Sequence, residues 1–253
     1  MNKNKKTPNN KDAVNFGFQK VTATQKRLLV DEIFSDVAGK YDLMNDLMSF
    51  GIHRLWKDVF CKMIPNLDSN IIDVAGGTGD IAFRIKARGK ELNQNPYIVI
   101  CDINHEMLKV CKDKAINKNI LHGIDLVVGN AEKLPFADNS FDYYTIAFGI
   151  RNMLSIEDTL KEAHRVLKPT GKFLCLEFSQ VQNELMKSLY DFYSFNVIPH
   201  IGKYVVNNKE AYQYLSESIS MFPNQEDFKT KIQNAGFMDV NYKNLTLGIA
   251  AIH

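Results

Sequence analysis

Ile71-Ile72-Asp73-Val74-Ala75-Gly76-Gly77-Thr78-Gly79-Asp80 is the stretch on which the fold of this chain turns. Its apolar, β-compatible start reads as the end of a buried strand. The glycines then permit a sharp turn and close approach of backbone to a ligand. Ile81-Ala82-Phe83-Arg84-Ile85 opens a helix directly behind them. A glycine loop between strand and helix is where open α/β sheets hold nucleotide-like ligands.

The same alternation continues downstream. Ile71–Val74 is the first predicted strand and 80–87 its helix. Tyr97–Cys101 is the second strand, ending at Asp102, and a helix over 104–118 carries an apolar stripe of Met107, Leu108, Val110, Cys111 and Ala115. Ile124–Val128 and Tyr143–Phe148 are the third and fourth strands. A helix over 156–167 stops at Lys168-Pro169-Thr170-Gly171, read as a turn, and Lys172–Phe178 is the fifth strand. Such order predicts a parallel sheet covered by helices on both faces. Past Gln180 the regularity lapses into helices and connections rich in aromatics. A last helix (226–235) closes at Gly236, and Phe237–Tyr242 with Leu245–Ile252 reads as an antiparallel edge pair.

Upstream, residues 1–24 are rich in lysine and asparagine and read as a flexible tail. From Gln25 the pattern is helical, with Leu28, Leu29, Ile33, Phe34 and Val37 near helix spacing and Trp56 as a core anchor. The expected layout is a tail (1–24) and one domain (25–253). That domain comprises a helical lid (25–66), a ligand-binding core (67–180), a helical insertion on the substrate side (181–225) and a closing helix with strands (226–253).

Composition narrows the class. At 253 residues, with 45% hydrophobic and 11% aromatic content, the chain can bury a large core. A formal net charge of +2 gives no sign of a nucleic-acid partner. The four cysteines (Cys61, Cys101, Cys111, Cys175) lack metal-ligand spacing, and no metal is expected. They read as small core residues in a reducing compartment. No apolar run reaches membrane-spanning length, so a cytoplasmic protein is expected, with a peripheral contact at the inner face of the membrane left open.

Two ligands compete for the loop. Gly77-Thr78-Gly79-Asp80-Ile81-Ala82 satisfies a dinucleotide fingerprint, and Asp102 stands roughly 20 residues on. Yet Asp80 opens the helix where a pyrophosphate would rest, and two anions there repel. S-adenosylmethionine has no phosphate and carries sulfonium and ammonium cations, which Asp73 and Asp80 favour. Asp102 can accept hydrogen bonds from both ribose hydroxyls, its plain alternative being an N-cap of the next helix. Asn130 can bond the adenine amino group while the Ala131 N–H meets a ring nitrogen. As a loop residue, Asn130 suits a turn former equally well.

Several segments together carry a family resemblance. These are Tyr41-Asp42-x-Met44-Asn45-x-x-Met48-Ser49-x-x-x-His53-x-x-Trp56, Phe148-Gly149-Ile150-Arg151-Asn152, Arg165-Val166-Leu167-Lys168-Pro169 through Glu177-x-Ser179, and Tyr212-x-Tyr214-Leu215-x-Glu217-Ser218-Ile219. From Phe16 onward the chain resembles the UbiE-type C-methyltransferases of ubiquinone and menaquinone biosynthesis, with Thr170 where a glycine is usual. The resemblance implies a class I, Rossmann-like methyltransferase fold with a seven-stranded sheet. It also implies S-adenosylmethionine as donor and a polyprenylated quinol as acceptor. Thr78, Asp102, Asn130 and Ala131 match the family's donor positions, beside the loop residues Gly77 and Gly79. Ala147 stands where serine is usual and retains only a backbone or packing contact.

The implied reaction is displacement at a sulfonium methyl by an electron-rich ring carbon, which a quinol supplies and a quinone does not. The protein must align the partners, exclude water and ease loss of a proton. Arg151 and Asn152, after the fourth strand, and Tyr41 are the candidate catalytic residues. Arg151 is a poor base and suits stabilisation of a phenolate or action through water, its alternative being a surface or interface ion pair. Tyr41 can bond a quinol oxygen or a backbone carbonyl, and His53 is held in reserve. The aromatics between Tyr190 and Tyr214 suit either a channel for a prenyl tail or core. Demethylmenaquinol and 2-methoxy-6-polyprenyl-1,4-benzoquinol fit equally. A homodimer or a quinone-biosynthesis assembly is compatible. A dinucleotide-dependent oxidoreductase and a non-catalytic donor-binding scaffold are the competing functions.

Overall fold

The computed structural model describes residues 13–37, Asp46, Ser49, 51–120, 122–181 and 209–253. Its centre is a seven-stranded sheet. The strands are β3 (Asn70–Val74), β4 (Tyr97–Asp102), β5 (Ile124–Val128), β6 (Phe141–Ala147), β7 (Leu167–Phe178), β8 (Lys243–Leu245) and β9 (Ala250–Ile252), arranged in the order β5-β4-β3-β6-β7-β9-β8. The first five strands are parallel, and β9 runs antiparallel between β7 and β8.

Alternation along the central strands sends side chains into two cores. Ile71, Ile98, Ile100, Leu174 and Leu176 face one side, where α2 (His53–Lys62), α3 (Asp80–Glu91), α4 (His105–Asn117) and α6 (Lys209–Ser220) pack through residues such as Phe60, Ile85, Cys111 and Leu215. Ile72, Val99, Cys101 and Cys175 face the other, against α5 (Ile156–Val166) and α7 (Gln225–Asn234) through Leu160, Ala163, Phe228 and Ile232. The sheet is thus covered on both faces, as the apolar runs predicted. Trp56 is a buried anchor, and all four cysteines are buried and free.

Chain order reverses between β3 and β6, so their connections leave to opposite sides and open a crevice at the carboxyl ends of the strands. The helices start where capping chemistry lets them. Asn104 caps α4 by accepting from the Met107 N–H, and Ser155 caps α5 by accepting from the Asp158 N–H.

Three expectations need correction. A hairpin of β1 (Ala13–Phe16) and β2 (Gln19–Thr22) occupies part of the stretch expected to be tail. Its turn sits on Gly17 (φ +55°), Phe16 stacks on Tyr214 at 4.3 Å, and the Phe18 N–H donates to Glu217. Contacts some 200 residues away in sequence hold it, at |i−j| = 199 for the Phe18–Glu217 bond. At the other end, Phe237–Tyr242 is not a strand. Asp239 takes a left-handed φ of 54°, and pairing starts only at Lys243. Finally, Lys168–Gly171 is no turn but lies within β7, because Leu167 pairs with Phe141 before a register shift.

Candidate functional site

A cavity of about 380 Å³ opens over the glycine loop. It is walled by α1 (Ala23–Val37), by Lys57 of α2, by residues 73–78 and by the segments that follow β4, β5 and β6. Asp73, Gly77, Thr78, Asp102, Asn130, Ala131, Ala147 and Asn152 all line it, so eight residues spread over 80 positions converge on one space. Gly79 and Arg151 do not line it. Tyr41 lies outside the described residues, as do Tyr190, Phe192, Tyr193, Phe195 and Tyr204.

The loop's glycines have separable reasons. At Gly76 a Cβ would fall 2.7 Å from Ile100 and 2.9 Å from Asp73 Oδ2, so only glycine lets the loop fold down onto the strand. Gly79 is the N-cap of α3 at φ 82°, and a Cβ there would sit 2.5 Å from Cys111 Sγ. It serves the turn and the α3–α4 packing and faces away from the cavity.

Two carboxylates face the space from beneath. Asp73 is buried. Its Oδ1 accepts from the Thr145 hydroxyl at 2.8 Å, while Oδ2 has no hydrogen-bond partner. Burial pushes its pKa up to about 7, against the opposing Thr145 bond. A buried carboxylate oxygen with no partner is costly and points to a cationic or hydrogen-donating ligand. Asp102 accepts from the Asn104 N–H through Oδ1 and from the Gly77 N–H through Oδ2, both at 2.8 Å. It is therefore not the cap of α4, a task Asn104 performs. Each of its oxygens retains a second lone pair for hydroxyl donors. Burial raises its pKa too, with the Asn104 and Gly77 amides pulling the other way.

Asp80 is not the bare anion its position suggests. Lys57 Nζ donates to it at 2.7 Å and Arg84 Nε at 3.1 Å. Burial pushes its carboxyl up, but these two cations outweigh burial and hold it below the usual range. Its repulsion of a phosphate is weaker than the sequence implied, and the charge against a pyrophosphate lies in Asp73 and Asp102.

The far end of the cavity is built by the segment after β5. Asn130 Oδ1 accepts from the Glu132 N–H at 3.0 Å, so it is a turn former that also lines the cavity. Glu132 then accepts from the Leu154 and Ser155 amides, joining this segment to the one after β6. Thr78 is buried and accepts from Lys114 Nζ at 2.9 Å, leaving its own hydroxyl proton to donate.

After β6, Phe148 adopts a left-handed φ of 58°, a strained state for a bulky residue. Arg151 holds it there. The Arg151 Nη1 donates to the Phe148 carbonyl at 2.6 Å and to Glu177 Oε1 at 2.7 Å, with both charged side chains 2% exposed. Burial nonetheless pushes the Glu177 carboxyl up, against the Arg151 charge. Arg151 does form an ion pair, but a buried one within the chain and not the surface or interface pair expected as its alternative. Asn152 faces the cavity, and its Oδ1 accepts from the Tyr214 hydroxyl at 3.0 Å. His53 is buried, with Nε2 on Asp46 at 2.8 Å and Nδ1 unpartnered. Its pKa is lowered by burial and then by the Lys57 charge, against the Asp46 pair.

Sequence reasoning passed over Lys57, Lys26 and Glu177. A lysine on an amphipathic helix reads as a solvated face, and only packing reveals Lys57 as a buried wall residue. Glu177 sat within a quoted motif, but nothing in the pattern linked it to Arg151.

Residues 19–253 match the model of the ubiE/COQ5 methyltransferase family. A Rickettsia bellii protein named ubiquinone/menaquinone biosynthesis C-methyltransferase UbiE is 59% identical over 239 residues, covering 94% of this chain and 96% of its own. Among solved structures, a SAM-dependent methyltransferase of Thermotoga maritima superposes with a TM-score of 0.58 at 18% identity, over 87% of this chain and 96% of its own. The [4+2]-cyclase SpnF superposes at 0.63 and 16% identity, over 87% and 75%. At such identities the likeness establishes the class I fold alone, and a cyclase on that fold shows why chemistry must be argued from the site.

Proposed function

This chain belongs to the ubiE/COQ5 methyltransferase family, and from that premise we propose that it methylates a ring carbon of a polyprenylated quinol in ubiquinone or menaquinone biosynthesis, with S-adenosylmethionine as methyl donor. The observation that carries the donor assignment is Asp73 Oδ2, a buried, unpartnered carboxylate oxygen on the cavity wall beside the glycine loop. It suits the donor's ammonium and opposes a dinucleotide's phosphates. When bound, S-adenosylmethionine supplies an electrophilic methyl group on sulfur.

The chain's own residues bind and orient. Asp102 holds the ribose through the lone pairs its two amide bonds leave open. Asn130 and the Ala131 N–H hold the adenine, and Gly77 and Thr78 let the backbone close on the amino-acid portion. Ala147, at the end of β6, contributes a packing surface. α1, tethered by Lys26 Nζ to the Met153 carbonyl at 2.6 Å and by Asn104 Nδ2 to Asp31 at 2.7 Å, covers the cavity and excludes water. Arg151 acts on the acceptor chiefly by fixing the Phe148–Asn152 wall. Asn152, steadied by Tyr214, meets a quinol oxygen, and Tyr41, outside the described residues, is the proposed hydrogen-bond donor to a quinol oxygen.

Among the described residues no helix is long and apolar enough to cross a membrane. The prenyl tail of the acceptor motivates a peripheral contact at the inner face of the membrane and an assembly with a second copy or with other quinone-synthesising proteins.

The test is transfer of labelled methyl by the purified protein to demethylmenaquinol and to 2-methoxy-6-polyprenyl-1,4-benzoquinol, each kept reduced. Label is expected in at least one product and in neither when the quinone replaces the quinol. No label in either quinol overturns the reading.

A further inference from the structure

The donor's amino-acid head carries a carboxylate as well as an ammonium, and a buried carboxylate calls for a cation. Resting on the donor assignment above, we propose that Lys57 is the counter-ion for the α-carboxylate of the methyl donor, shared between that carboxylate and Asp80.

Among the described residues, three cationic side chains line the cavity: Lys26, Arg27 and Lys57. Lys26 Nζ donates to the Met153 carbonyl, and Arg27 pairs with Glu132 at 3.4 Å. Both partners belong to the end built by Asn130 and Ala131, where the adenine is assigned. Arg27 is also mostly exposed, so solvent weakens its charge. Among the described residues, Lys57 is the cavity-lining cation at the glycine-loop end, beside Asp80 and close enough for its charge to act on Asp73; Lys114, whose Nζ donates to the Thr78 hydroxyl at 2.9 Å, does not itself line the cavity.

Its geometry suits an anion. The side chain is 4% exposed, which keeps the ammonium out of the solvent that would screen it. Nζ has three N–H donors, and one reaches Asp80 Oδ2 at 2.7 Å. The Phe148 ring lies 5.9 Å from Nζ and closes one side of it with an aromatic face. Asp80 is not abandoned when Lys57 turns a second donor to a ligand, because Arg84 Nε bonds its other oxygen. Asp73 and Lys57 then form a matched pair for a zwitterion, anion for ammonium and cation for carboxylate. The cavity selects a free amino-acid head, and a nucleoside without one loses both contacts.

The test is isothermal calorimetry of the full chain with S-adenosylmethionine and with decarboxylated S-adenosylmethionine, which differ only in the carboxylate. Wild-type protein is expected to prefer the intact donor by about tenfold or more, the range of one charge-assisted hydrogen bond in a buried site. Lys57→Gln should abolish that preference by weakening the intact donor alone, and Lys57→Arg should retain most of it. Equal weakening of both ligands in Lys57→Gln overturns the proposal. So does unchanged affinity for both with slower methyl transfer, which would place Lys57 on the acceptor's oxygen. A wild-type preference below about twofold overturns it without any variant. Wild-type protein that binds neither ligand defeats the donor assignment itself.

Discussion

Asp73 is where burial and ligand chemistry meet most sharply. Burial lifts its pKa to about 7 because Oδ2 has no partner to offset desolvation. In the free protein it is therefore largely protonated below neutrality and ionised above. An ammonium ligand favours the ionised form, so donor binding should tighten as pH rises through about 7 and release a proton on the acid side. Calorimetry in buffers of different ionisation heat reads both effects, and Asp73→Asn should flatten the pH profile. Stability moves the opposite way. A carboxyl whose pKa is raised on folding stabilises the folded state most below its unfolded value near 3.8, and this contribution is lost as pH rises towards about 7. Asp73 and Asp102 were legible as site residues because each ends a strand beside the glycine loop. Lys57 was not, since a lysine's burial is decided by its neighbours and not by its spacing.

At the scale of elements, the α3–α4 contact fixes where the loop stands. Gly79 combines a φ of 82° with a Cβ position 2.5 Å from Cys111 Sγ and 2.9 Å from the Phe83 ring. Gly79→Ala should cost about 1–2 kcal/mol for the left-handed backbone and about 1–3 kcal/mol for overpacking. Thermal melting of the variant measures the sum. Adding Cys111→Ala should recover part of the packing loss and none of the backbone loss, so the two changes should be non-additive. The central strands were readable because their two-sided burial leaves continuous apolar runs. β1 and β2 were not, since a polar hairpin held by Tyr214 and Glu217 leaves no local pattern. β8, the short run Lys243-Asn244-Leu245 with one apolar residue, exists because β9 offers it an edge. Propensity there is overridden by pairing.

The whole molecule places the candidate donor cavity at the reversal of strand order and lines it from segments spread across the first 154 residues. The strand-order reversal is where open α/β sheets hold nucleotide-like ligands; the carboxylates beneath the loop favour a cationic one; family membership makes the reaction a methyl transfer. The acceptor side is less fully drawn by pattern, because aromatics on irregular connections read alike whether they line a channel or fill a core. Tyr212 and Tyr214 show the ambiguity: both are buried, and Tyr214 reaches Asn152 on the cavity wall. The reaction proposed at this site is carbon methylation of a reduced ring. Its most direct test is NMR of the product formed from a polyprenylated quinol and donor carrying a ¹³C-methyl group. A ¹³C-methyl resonance of a ring-carbon substituent is predicted, absent when the quinone is supplied. An O-methyl resonance, or no enriched product from the quinol, would contradict it.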